Sequence, residues 1–222
     1  MVAGTGRRMP GVESASLSEA QRPVARTSTA HSLNVRICHW INVVACVYLI
    51  WSGIHIFLDF PELYWGHTGY RGYPAAFRLE DWGLSWDAAG KLGDRRWGRN
   101  YHFTFAWVFL INGIVYVAWN LYSRHFRSRM LGRDAGYGTA QRTTYLILIF
   151  VFVPFMILTG MAQSPGFTAA MPLLLDLFGG RQTARTLHTI GTVALVLFVL
   201  VHVVEIARAG FFVKVRSMIT GK

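Results

Sequence analysis

His188 and His202 stand fourteen residues apart in "RTLHTIGTVALVLFVLVHVVEIAR", an otherwise apolar run. Imidazole is costly in such a setting unless it has a function, and its chemistry there is proton transfer or metal ligation. On a helix, at about 100° and 1.5 Å per residue, the two share a face to within about 40° and lie about 21 Å apart along the axis. Two ligands of one ion would stand a turn apart, as in H-x-x-x-H, and no apolar segment contains that pair. The spacing instead fits one ligand for each of two centres stacked at different depths.

Each centre then needs a second ligand from another segment at the same depth. His39, at the start of the first apolar run, matches His202, near the end of the last. His188 can be matched by His102 or by His55. His55 is sixteen residues from His39, which turns it by about 160° to the opposite helix face, so His102 is the better placed and His55 the alternative. Paired neutral imidazoles inside a four-helix bundle are the ligation of b-type haem, a six-coordinate iron suited to electron transfer. His31, His67 and His125 fall in loops or near helix ends, where a solvated imidazole needs no special role.

Smaller features sit around these positions. Gly53 lies on the face of His39 and Gly191 within about 20° of His202, so both could admit a flat macrocycle, or simply allow close helix packing. Arg36 and Arg185 each precede a candidate ligand by three residues and could pair with haem propionates. Glu205, three residues beyond His202, is a candidate for proton handling, with a solvated helix-end acid as the plainer reading. Cys38 and Cys46 are separated by about 12 Å along one helix and cannot pair, and no CxxCH sequence attaches a haem covalently.

The elements that must position these residues follow from composition. The chain has 222 residues, 53% of them hydrophobic and only 15% charged, too apolar for an ordinary water-soluble domain. Four segments of roughly 20 residues are long enough to cross a hydrocarbon core: about 37–58, 101–122, 143–162 and 186–207. The expected fold is an all-α membrane protein, a four-transmembrane-helix bundle holding two haems b over residues 31–222. Residues 1–30, rich in Ser, Thr, Ala and Arg with no apolar run, are expected to be a disordered cytoplasmic tail.

A formal charge of +11 would point to nucleic acid in a soluble protein, but here it has a topological explanation. Arg7, Arg8, Arg22, Arg26 and Arg36 crowd the N-terminal side, Arg124, Arg127, Arg129, Arg133 and Arg142 the second connection, and Arg208, Lys214, Arg216 and Lys222 the C-terminal side. The first connection balances six basic with six acidic residues, and the third has only Arg181 and Arg185. Both termini are therefore expected in the cytoplasm, with the long first loop on the outer side. Tyr64, Trp65 and Trp97 of that loop fit either a docking surface for a redox partner or an interfacial aromatic belt.

"VRICHWINVVACVYLIWSGIHIF", "RNYHFTFAWVFLINGIVY" and "RTLHTIGTVALVLFVLVHVVEIARAGFFVKVRSMITGK" together resemble the bacterial cytochrome b561 superfamily, which includes the cytochrome b subunits of membrane formate dehydrogenases and nickel-iron hydrogenases. The resemblance covers most of the chain after about residue 31. It implies two haems b, His39 with His202 on the cytoplasmic side and His102 with His188 on the outer side, in a bacterial inner membrane. "LYWGHTGYRGYP" and "MAQSPGFTAAMPLLLDLFGGRQTARTLH" resemble the members that accompany a periplasmic molybdopterin oxidoreductase of the sulfite-oxidase-like type. In the formate dehydrogenase relative an Asn and a Gln before the third helix help to bind quinone; here Gln141 matches, but Gly138 replaces the Asn.

The reading that follows is an electron-transfer subunit between that oxidoreductase and the quinone pool. A stand-alone quinol-dependent cytochrome, and a haem-free anchor or transporter, are the alternatives.

Overall fold

The computed structural model describes residues 32–123 and 139–221, with side chains from Thr143 onward in the second stretch. The expected N-terminal tail, His31, His125, Gly138 and the arginines 124, 127, 129 and 133 lie outside the described residues, as do the side chains of Gln141 and Arg142. Four described helices are long and apolar enough to span a membrane: Leu33–Asp59, Arg95–Tyr122, Thr143–Gln163 and Arg181–Arg208. Each overlaps an expected segment and outruns it at one end or both, because polar residues continue the hydrogen-bonded ladder beyond the hydrocarbon.

The first span, α1 (Leu33–Asp59), leads into a platform at the end of the bundle away from Leu33 and Gly221, called the outer end by its place in the fold. There β1 (Glu62–Leu63) pairs antiparallel with β2 (Phe77–Arg78), Glu62 opposite Arg78 and Leu63 opposite Phe77. A short helix, α2 (Trp86–Leu92), starts where the Ser85 side chain accepts the Ala88 amide at 3.3 Å. The second span, α3 (Arg95–Tyr122), starts in the same way, Asp94 accepting the Trp97 amide at 3.0 Å. An ion pair 2.8 Å long from Arg95 to Asp59 ties the start of α3 to the end of α1 beneath the platform.

The third span comprises α4 (Thr139–Ile147), a π-helical turn (Leu148–Phe152) and α5 (Val153–Gln163). Pro154 has no N–H for the carbonyl four residues earlier, and the widened turn just before it absorbs the break. Two short helices, α6 (Pro165–Ala170) and α7 (Leu173–Leu177), connect to the fourth span, α8 (Arg181–Arg208). The chain then turns at Gly210 into α9 (Phe211–Thr220), which returns to the start of α1, where the Trp40 indole N–H donates to the Met218 carbonyl at 3.3 Å.

Burial is the inverse of a soluble bundle. Val44, Val47, Ile111, Ile114, Leu197 and Val201 are exposed, whereas small residues such as Ala45, Ser52, Thr159, Ala162 and Ala184 are fully buried in the spans, together with the larger Asn120. Small residues let helix backbones approach closely, and large apolar ones face lipid.

The spans form two antiparallel hairpins. In one, α3 crosses α1 so that the Asn112 side-chain amide donates to the Cys38 carbonyl at 2.9 Å and to Asn42 at 2.7 Å. In the other, α5 lies against α8, where Gly191 admits Met156 so closely that a Cβ there would overlap its sulfur. Among the described residues, close backbone approach of the spans is concentrated within each hairpin, between α1 and α3 and between α5 and α8.

The two outer connections are stitched into one layer. The Gln182 and Thr183 amides donate to the Gly66 carbonyl at 3.0 and 3.2 Å, and the Thr186 hydroxyl donates to the Tyr64 carbonyl at 2.6 Å. Gly180, at φ 118° and ψ 163°, lies so close to the Gly66 backbone that a side chain would overlap it.

Candidate functional site

The seam between the hairpins is where the histidines meet. His39 of α1 and His202 of α8 face each other with ring centres 6.4 Å apart and planes at 65°. His102 of α3 and His188 of α8 do the same at 6.1 Å and 68°. Both pairs join a helix of the first hairpin to α8 of the second, at opposite ends of the bundle. His55 lies elsewhere: it packs against Trp51 at 4.9 Å and lines a surface pocket with Asp94, Trp97, Gly98 and Tyr101. Of the two alternatives open in the sequence, the structure brings His102 and not His55 to His188.

The spacing can be tested against a metal ion. Two metal–imidazole bonds of about 2.0–2.1 Å, plus about 1.1 Å from each nitrogen to its ring centre, put the centres of two rings on opposite sides of one ion about 6.3 Å apart. Both pairs stand close to that value. Among the described residues no cluster of three or more His, Cys, Asp or Glu offers a protein-only metal centre. Donors that come in twos fit an iron whose other four positions belong to a macrocycle.

The outer pair is buttressed in a repeated way. His102 Nδ1 lies 3.0 Å from the Ser52 hydroxyl of α1, and a Cβ on the next residue, Gly53, would lie 3.6 Å from the His102 ring. His188 Nδ1 lies 3.0 Å from the Thr159 hydroxyl of α5, and a Cβ on the next residue, Gly160, would lie 3.3 Å from the His188 ring. At the inner pair, Phe198 stacks on His202 at 6.1 Å and Trp40 meets His39 edge-on at 5.5 Å.

The remaining sequence candidates separate. Gly53 borders the outer pair, whereas the room at Gly191 is taken by Met156 and Phe155, the packing role of a small residue. Arg36 lies beside Gly221, its Nε buried without a hydrogen-bond partner among the described residues. Such an atom fits an anionic group, as a propionate would be. Arg185 is engaged otherwise: it donates to the Glu62 carbonyl at 2.7 Å and the Phe60 carbonyl at 2.5 Å, and its guanidinium lies 4.9 Å from the centre of the Phe60 ring. Glu205 is exposed and paired with Arg208 at 3.2 Å, the plain helix-end arrangement. Cys38 and Cys46 are free thiols.

Tyr64 is neither belt nor docking surface. It is fully buried, its hydroxyl donating to the Glu62 carboxylate, with the Tyr70 carbonyl 2.9 Å away. Gly69 packs against its ring, and Arg78 reaches Glu62 at 3.5 Å. Burial, reinforced by the neighbouring carboxylate, raises the Tyr64 phenol above its ordinary range. Trp65 and Trp97 are exposed, as either surface role requires. Sequence reasoning missed Ser52 and Thr159; their only signal was a hydroxyl residue followed by glycine in each of two spans.

Among curated proteins, the chain is 27% identical over 194 residues to one from Azospira oryzae that carries the name of a protein-methionine-sulfoxide reductase subunit, YedZ1. The match covers 78% of this chain and 87% of that protein. No solved structure matches. The family model described as prokaryotic cytochrome b561 matches residues 30–221, which takes in all four spans, both histidine pairs and the outer platform. This membrane protein therefore belongs to the prokaryotic cytochrome b561 family, whose members are b-type haem proteins.

Proposed function

We propose that the chain is the membrane electron-transfer subunit of an oxidoreductase complex and holds two haems b, one between His39 and His202 and one between His102 and His188. The observation that carries this reading is the pair of ring separations, 6.4 and 6.1 Å, at the two ends of one seam. When bound, a bis-histidine haem supplies one-electron transfer without an open iron position. The residues do the rest: the histidines set the depth of the two centres, the exposed apolar faces keep the seam within lipid, and Arg36 offers a cation to a propionate at the inner end.

The excess of Lys and Arg on the N-terminal, second-connection and C-terminal sides supports cytoplasmic termini in a bacterial inner membrane. The stitched outer platform then faces the periplasm. Its partner is a molybdopterin oxidoreductase of the sulfite-oxidase-like type, as the loop sequences resemble and as the name of the Azospira relative, a reductase subunit, supports. The other electron partner is the quinone pool, with Gln141 the candidate contact.

Two measurements test the reading. Affinity purification of the chain from its own cells should bring down a molybdopterin-containing subunit. Anaerobic addition of a short-chain quinol to the purified protein should reduce its b-type absorption bands. Bands that respond to dithionite but not to quinol would contradict the quinone assignment.

A further inference from the structure

The outer histidines are held by two copies of one device, and its hydrogen-bond accounting fixes which ring nitrogen carries the proton. The Ser52 hydroxyl donates its single proton within α1, to the Tyr48 carbonyl four residues back at 2.5 Å, with the Leu49 carbonyl at 3.2 Å. The Thr159 hydroxyl repeats this in α5, with Phe155 at 2.9 Å and Met156 at 3.1 Å. A hydroxyl whose proton is spent on its own helix can only accept from a third group. The group that faces each one is a histidine Nδ1, at 3.0 Å in both cases. Nδ1 is therefore the N–H in both rings, and Nε2 keeps its lone pair.

We propose that Ser52 and Thr159 are positioning residues for the outer centre: each fixes the tautomer and the rotation of a histidine on a neighbouring helix, so that Nε2 of His102 and of His188 is presented to one iron. The inference rests on the two-haem reading above. An acceptor at the distal ring nitrogen also strengthens the ligand nitrogen as a donor, which favours the oxidised metal. Ser52 reaches the site from α1 and Thr159 from α5, so the two act on the same centre from opposite hairpins. The following residue is glycine in both copies, Gly53 and Gly160, and each borders the ring that its neighbour holds. A hydroxyl residue followed by glycine, facing a histidine of the adjacent span, is thus the unit from which the outer half of the site is built.

The test is a redox titration of the purified protein followed by absorption, with haem per chain measured alongside. Thr159→Val keeps the side-chain shape and removes the hydroxyl, and Thr159→Ser keeps the hydroxyl. Thr159→Val should move one of two redox waves to more positive potential by about a tenfold change in the reduction equilibrium, about 59 mV for one electron. The other wave should stay in place, Thr159→Ser should match the wild type, and Ser52→Ala should move the same wave as Thr159→Val.

Wild-type potentials in both Thr159→Val and Ser52→Ala, with two haems retained, would overturn the proposal. So would equal shifts in Thr159→Val and Thr159→Ser, or shifts of different waves by the Thr159 and Ser52 variants. If Thr159→Val loses one haem, retention of it by Thr159→Ser supports the proposal, and loss in both overturns it. A wild-type protein without two haems refutes instead the di-haem reading on which the inference stands.

Discussion

The imidazoles of His102 and His188 face each other at 6.1 Å between ring centres although they belong to different helical hairpins. His39 and His202 repeat the relationship at 6.4 Å at the other end. Within the first hairpin Tyr48 stacks on Phe105 and Asn112 reaches the Cys38 carbonyl, whereas between hairpins the histidines meet across a seam. A flat group held in that seam would join the two halves of the bundle.

Removing a ligand from one end should therefore leave the other end loaded. His39→Ala and His202→Ala are each expected to lower haem per chain from two to one, and so are His102→Ala and His188→Ala. His55→Ala should keep both, since His55 faces its own pocket with Trp51 and Asp94. Pyridine haemochrome assay of each variant checks this, and a His55→Ala protein with one haem would break the outer assignment.

Arg185 ties the start of α8 to the chain leaving α1 through two carbonyls and the face of Phe60. Charged hydrogen bonds of this kind contribute roughly 1.5–3 kcal/mol each, so losing both in Arg185→Ala should cost about 3–6 kcal/mol and open the platform to protease. Thermal unfolding in detergent and limited proteolysis of right-side-out or inverted vesicles provide the readings. Unchanged unfolding would mean that the platform is held without this anchor.

Tyr64 makes the platform sensitive to alkali. Burial and Glu62 raise its folded-state pKa above the unfolded value of about 10. The protonated phenol is thus favoured by folding, and its stabilisation is complete below about pH 10. It is lost as pH rises from there through the folded-state value. Stability of the wild type should fall above pH 10 more steeply than that of Tyr64→Phe, measured as unfolding midpoints across that range. Parallel curves would remove Tyr64 as the cause.

Gly180 and Gly72 offer a contrast between crowding and conformation. Both have positive φ, but a Cβ at Gly180 would overlap the Gly66 backbone, whereas nothing lies within 4 Å of one at Gly72. Gly180→Ala is expected to destabilise by about 2–5 kcal/mol and Gly72→Ala by only about 1–2. Equal effects in thermal unfolding would show that the two outer connections do not depend on that close approach.

Much of this was legible in the chain because lipid imposes a simple rule: about 20 apolar residues per span, with polar side chains costly inside. The helical period then placed His188 and His202 on one face and ranked His102 above His55. The same period could not separate the roles of glycines: Gly53 borders a histidine and Gly191 a methionine, a distinction made by the neighbouring helix. Arg185 and Arg36 looked equivalent, each three residues before a candidate ligand, yet one is spent on backbone carbonyls and the other keeps a buried Nε unpartnered. Tyr64 read as a surface aromatic because two-residue strands leave no periodic trace, and its burial depends on Glu62, Gly69 and the third connection. Ser52 and Thr159 were invisible for a related reason, since a hydroxyl bonded to its own helix is ordinary in a membrane span until a histidine is seen beside it.

The most direct test of the central claim is the haem content of the purified wild-type chain, by pyridine haemochrome against protein concentration, with reduced-minus-oxidised spectra. Two low-spin b-type haems per chain are predicted, one for each histidine pair. One haem per chain in protein from haem-replete cells would contradict the two-centre account, and none would refute electron transfer by this chain altogether.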